Sequence, residues 1–317
     1  MITDDSPAAR AAHRTVHRTV HRTARQVTMH ILIALLPSLL WGTMALLNAA
    51  FPTDLRRQNT FVIAGGGAAS LLTSPLTGAA WSLRALAWGS LSGLLWSIGI
   101  VLVIKGFQTW GASRTMPLTT VLQLALNGLI GVVLLGEWRA PGAMGLGMSA
   151  IALVIVGGVA GAWQEGDGVG PSPRMRRTGA LATVCSAVFL AIYPGMLRLA
   201  HVSSADAVGP MGIGLLVGAV IASRVLPDNG PLRGPGAIPA LLSGVVWALG
   251  NIALLRSTAI VGVAAGFTFS QLGFVIATLG SIFLLKEPRT HKEIVVVLVG
   301  IAAALAGVVL MGMASAR

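Results

Sequence analysis

Charged residues punctuate this chain only at long intervals. Ten stretches without Asp, Glu, Lys or Arg reach 17 residues or more: 31–53, 58–83, 85–104, 115–136, 140–164, 178–197, 207–223, 234–255, 257–285 and 294–316. A charge at the centre of a bilayer is costly, and ~20 apolar residues rising ~1.5 Å each cross ~30 Å of hydrocarbon. Each stretch therefore predicts one transmembrane helix, with short loops between them. The seventh is the weakest of the set, being the shortest and carrying Pro210 near its start. Barrel strands would alternate with a period of two, and no such alternation runs through the chain.

Composition agrees with this reading. Of 317 residues, 10% are charged and 55% hydrophobic, and the mean hydropathy is +0.81. Soluble domains average ~25% charged residues, so most soluble enzymes are excluded. Forty glycines suit helices that approach closely in lipid. The single cysteine, Cys185, excludes an internal disulfide framework and any multi-thiolate metal site. A formal charge of +12 raises nucleic acid as a partner. Its distribution argues against that, because basic residues sit in the first 28 positions or near the ends of apolar runs.

Residues 1–28 form a basic low-complexity tail with a tandem His-Arg-Thr repeat at His13, His17 and His21. Three histidines at helical spacing raise metal binding, but no carboxylate or thiolate accompanies them; a tail touching anionic lipid is the simpler expectation. The stretch lacks the apolar core of a signal peptide, and Met29 is an alternative start.

The chain also repeats itself. Leu91-Ser92-Gly93-Leu94-Leu95-Trp96 matches Leu242-Ser243-Gly244-Val245-Val246-Trp247 at an offset of 151, and Glu137 matches Glu287 at an offset of 150. The third span thus pairs with the eighth, and the repeating unit is five helices long. Two copies of an odd-numbered unit cross a membrane in opposite senses, the inverted repeat of secondary transporters. The expected fold is an all-α integral membrane protein of ten transmembrane helices in two inverted five-helix repeats. Its expected divisions are the tail 1–28, a first repeat 29–163, a linker loop 164–178 and a second repeat 179–313. Basic residues number 10 on the amino-terminal side and 12 on the other, which leaves the orientation open.

Inside the spans, polar groups and deep aromatics are the candidate binding residues. Thr119, Gln123 and Asn127 share one face of the fourth span. Phe267, Gln271, Phe274 and Thr278 follow a stripe on the ninth, with Ser270 and Ser281 close to it. Trp247 and Asn251 lie on one face of the eighth, Trp96 on the third, and Trp41 midway along the first. Neutral donors and acceptors beside indole planes fit an uncharged polyhydroxylated ligand, stacked on its C–H face and hydrogen-bonded at its hydroxyls. Interhelical packing is the alternative for each of these residues. Trp81, Trp88, Trp110, Trp138 and Trp163 lie near span ends, as interfacial anchors do. Glu137 and Glu287 are acids shared by both halves and candidates for proton coupling; capping the next helix, or pairing with Arg139 and Arg289, is the structural alternative.

These residues resemble a known family. Met29 to Pro37 with Trp41-Gly42, Gly111-Ala112-Ser113-Arg114-Thr115-Met116-Pro117-Leu118-Thr119-Thr120 before Gln123, Trp247-Ala248-Leu249-Gly250-Asn251 and Phe269-Ser270-Gln271-Leu272-Gly273 look like the glucose/ribose uptake permeases of the drug/metabolite transporter superfamily. The resemblance runs from about Met29 to Met313. It implies ten helices, an inverted repeat and proton-driven uptake of a monosaccharide across the bacterial cytoplasmic membrane by alternating access. It also aligns the family's beginning with Met29. A transporter or exporter of another small metabolite in the same superfamily is the alternative. Expected partners are a small neutral sugar, a proton, the lipid bilayer and, as an open option, a second copy of the chain. No cofactor, metal or nucleic acid is expected. An enzyme is disfavoured, since the spans hold no acid, His-Glu-x-x-His motif or nucleophile with a nearby base.

Overall fold

The computed structural model describes residues 29–30, 32–136, 138–165, 171–227, 230–261, 266 and 269–315. The tail 1–28, Glu137 and Phe267 lie outside these residues. Among the described residues the chain is helical throughout, without strands. The helices are α1 (Leu32–Ala50), α2 (Leu55–Thr73), α3 (Leu83–Trp110), α4 (Ala112–Leu135), α5 (Ala143–Ala162), α6 (Pro173–Leu199), α7 (Ser204–Val225), α8 (Ala237–Val261), α9 (Gly273–Phe283) and α10 (His291–Ser315).

Short polar side chains start several of these helices. Asp54, Ser82, Ser172 and Ser203 accept hydrogen bonds from the backbone of Arg57, Ala85, Met175 and Asp206 respectively, which satisfies donors left over in a first turn. Ser172 with Pro173 behind it begins α6 inside the stretch expected to be a linker, so Arg174, Arg176 and Arg177 are helical. The seventh span runs through Pro210, and Gly89 of α3 lets that ring approach closely: a Cβ on Gly89 would lie 2.6 Å from the Pro210 Cβ.

Among the described residues, nine helices are long and apolar enough to span a membrane, and α9 is a shorter apolar helix of 11 residues. The expected ninth span covers 257–285. Around Gln271 and Leu272 the chain changes from i→i+4 to i→i+3 bonding, with Leu272 N donating to Phe269 O and Phe274 N to Gln271 O. Such a tightened turn divides the apolar stretch and makes α9 shorter than the charge-free interval.

α2 packs against α7 and α8, α3 against α6 and α7, α4 against α5, α6 and α9, and α5 against α10. Two of these crossings use the repeated Leu-Ser-Gly motif. A Cβ on Gly93 would strike the Met211 carbonyl in α7, and one on Gly244 would strike the Val62 carbonyl in α2. Glycine is required at both, because backbone meets backbone there. Two buried cores result. The first joins α1, α2, α3, α6, α7 and α8 around Ile63, Trp96, Leu215 and Trp247. The second joins α4, α5, α9 and α10 around Val121, Val154, Phe274 and Val297. Leu72, Val133, Leu181, Val225 and Ile238 stand exposed on the outer surface, as lipid-facing side chains do.

Candidate functional site

The three deep tryptophans meet. Trp96 of α3 and Trp247 of α8 pack with ring centroids 4.0 Å apart and planes inclined at 36°. They are only 3% and 6% exposed, so each indole is chiefly a neighbour of the other. Trp41 of α1 is half-buried against them, and its Nε1 donates to the Trp247 carbonyl at 3.3 Å. Gly250 makes this approach possible, since a Cβ there would collide with the Trp41 ring.

The polar stripes of α4 and α9 border the second core. Thr119 is buried, with its hydroxyl 3.4 Å from Ser186 Oγ of α6. Gln123 and Asn127 continue the same face, half-buried, and make no side-chain hydrogen bond among the described residues. Asn251, one turn beyond Trp247, is in the same condition. Gln271 donates to Ser270 Oγ at 3.1 Å where the helix is interrupted. Thr278 is fully buried, and its hydroxyl has no partner among the described residues. Among the described residues, then, the side chains of Gln123, Asn127 and Asn251 keep donors and acceptors that no protein group takes up. Among the described residues no cluster of His, Cys, Asp and Glu could hold a metal.

Other polar groups escape a reading of spans alone. Gln58 Nε2 donates to Asn48 O at 2.7 Å, Gln108 Nε2 to Gln58 Oε1 at 2.9 Å, and Ser243 Oγ to Asn48 Oδ1 at 3.2 Å. This buried network ties α1, α2, α3 and α8 together. Its amides sit at span ends without helical periodicity, so only their residue type was visible in the sequence.

A charged cluster closes the same end of the bundle. Glu287, after α9, accepts from the backbone N–H groups of Ala112 at 2.8 Å and Ser113 at 3.0 Å. It therefore caps α4, which has no side-chain cap of its own at Gly111. Arg114 Nη2 pairs with Glu293 Oε2 at 3.2 Å, with both side chains buried. Arg289 Nη1 lies 3.6 Å from the same oxygen and donates to Trp163 O at 2.9 Å, and Nη2 donates to Gly161 O. Burial lowers the Arg289 pKa to about 10, with Arg114 adding to the effect, and the guanidinium stays charged at neutral pH. Glu165 outside the cluster is held low by hydrogen bonds from Lys292 and Thr290. Of the anchor tryptophans, Trp81, Trp88 and Trp163 are exposed. Trp138 instead is buried in the second core, with Nε1 3.4 Å from Ser315 Oγ.

Known proteins resemble this chain in sequence and fold. Residues 32–314 match the family described as sugar transport protein. The glucose uptake protein GlcU of Bacillus subtilis (strain 168) is 35% identical over 284 residues, covering 89% of this chain and 97% of that protein. The putative sugar uptake protein lmo0176 of Listeria monocytogenes serovar 1/2a is 34% identical over 292 residues, covering 89% and 98%. A solved crystal structure of a protein 16% identical aligns with a TM-score of 0.58 over 92% of this chain and 99% of that one, a likeness of fold alone.

Proposed function

Because the chain belongs to the sugar transport protein family, we propose that it takes up a monosaccharide of the glucose or ribose type by alternating access, coupled to a proton. Membership makes it a transport protein rather than an enzyme, and its bacterial relatives and apolar helices make it a multi-pass protein of the bacterial cytoplasmic membrane. In this reading ten spans form two inverted five-helix halves. The matched crossings support that arrangement: Gly93 meets α7 as Gly244 meets α2, at the offset that aligns the two tryptophans.

The observation that supports the substrate class is the set of half-buried amides at Gln123, Asn127 and Asn251, which make no side-chain hydrogen bond among the described residues. A sugar ring presents what these groups lack: hydroxyls that both donate and accept, and a C–H face for an indole plane. Thr119, Ser270, Gln271, Thr278 and Trp41 complete the proposed lining, with Trp96 and Trp247 behind it. Counterflow of labelled glucose and ribose in proteoliposomes tests the reading. Exchange of either sugar supports it, and exchange of neither, in vesicles holding folded protein, removes it.

A further inference from the structure

The bonds of the charged cluster cross between the halves of the chain. Glu287 of the second half caps α4 of the first. Arg114 of the first half pairs with Glu293 of the second at 3.2 Å. Arg289 of the second half donates to Ser113 Oγ, Trp163 O and Gly161 O of the first. Glu293 Oε1 accepts from the Glu165 backbone at 2.8 Å, which ties in the chain leaving α5. The start of α4, the end of α5 and the start of α10 are thereby held at one point, beneath a shallow cavity of about 220 Å³ lined by Gln108, Trp110, Arg114 and Glu287. The amide network of Asn48, Gln58, Gln108 and Ser243 closes the adjoining helix ends. The pairs Arg57–Asp54, Arg289–Glu293 and Lys292–Glu165 belong, with Arg114–Glu293, to loops and helix ends of this same face.

The repeat is not symmetric here. Its offsets set Glu137 and Arg139 opposite Glu287 and Arg289, yet set Ala265 and Ala143 opposite Arg114 and Glu293. The buried ion pair has no counterpart in the sequence at the other face.

We propose that Glu287, Arg114, Arg289 and Glu293 form a latch that holds shut the face carrying the α3–α4, α5–α6 and α9–α10 connections. The Arg114–Glu293 pair makes opening at this face harder than at the other. The inference rests on the alternating-access reading above, since a latch has a purpose only where a face must open. A buried pair suits this role because it is stable while both partners are present, and separating them exposes two charges that must find water together.

Accessibility of a thiol behind the latch tests this without reference to sugar. Thr115 is fully buried one residue beyond Arg114, and Cys185→Ser removes the only native thiol. In Thr115→Cys/Cys185→Ser protein held in lipid nanodiscs, a membrane-impermeant maleimide reads how often this face opens. Glu293→Gln, and the pair Arg114→Gln with Glu293→Gln, are each expected to raise the labelling rate about tenfold. The double change strands neither member of that pair, and Glu287→Gln, at the half-buried rim, gives a third folded variant with the same expected direction. Unchanged labelling in every variant that elutes as folded protein overturns the latch. Loss of counterflow for every monosaccharide tested, with labelling still raised, overturns the sugar reading instead and leaves the latch standing.

Discussion

At the scale of single residues, burial changes what the tryptophans can do. Trp96 and Trp247 are almost fully enclosed and touch each other, so Trp→Ala at either leaves a cavity expected to cost ~3–5 kcal/mol of stability. Trp96→Phe and Trp247→Phe separate packing from binding. If an indole plane meets the sugar, losing ~0.5–1.5 kcal/mol of aromatic contact raises the uptake KM about 2- to 10-fold with little change in Tm. An unchanged KM with a lowered Tm confines them to packing. The amides are a cleaner case, because Gln123 is half-buried and makes no side-chain bond among the described residues. Gln123→Ala and Gln271→Ala are expected to change the order in which unlabelled sugars compete for uptake while the protein remains folded. An identical competition profile would return both to a structural role. These residues were legible in the sequence as polar positions on apolar faces. Glu293 was not, since it only marked the edge of the last span and its partner Arg114 lies 179 positions away.

Among the elements, the charge-free intervals were a good guide to where helices run, because excluding charge from hydrocarbon is the strongest constraint on the chain. They could not show where a helix is interrupted. The stretch from 257 to 285 is apolar throughout, and the tightened turn at Gln271–Leu272 depends on backbone bonding rather than hydropathy. They also could not show that α4 borrows its cap. Glu287→Ala releases two N–H groups at Ala112 and Ser113 and is expected to cost ~1 kcal/mol, read as a lower Tm. Glu287→Asp, one methylene shorter, should recover only part of that loss. The helix crossings give a sterner test. Gly244→Ala places a methyl against the Val62 carbonyl and is expected to destabilise by ~1–3 kcal/mol through forced separation of α2 and α8, checked by thermal unfolding. Gly145→Ala on α5 has open space around it and should be neutral or better.

For the whole molecule, ligand binding should be visible as stability. A monosaccharide at 100 times its Kd adds ~2.7 kcal/mol to a state that binds it, so a panel of sugars screened by thermal shift should single out the substrate. A panel that leaves Tm unmoved would argue for a different ligand. Offsets of 151 and 150 between matching segments led to the expectation of a five-helix repeat. What no offset revealed is how the helices are shared out, for each of the two cores takes helices from both halves. The Thr119–Ser186 contact between α4 and α6 lies where a six-helix and a four-helix core meet. Stapling that contact with Thr119→Cys and Ser186→Cys is expected to block transport reversibly, read as uptake restored by a reductant. Neither length of chain therefore holds a complete core by itself, so cutting the protein between α5 and α6 should leave two fragments that become stable only together.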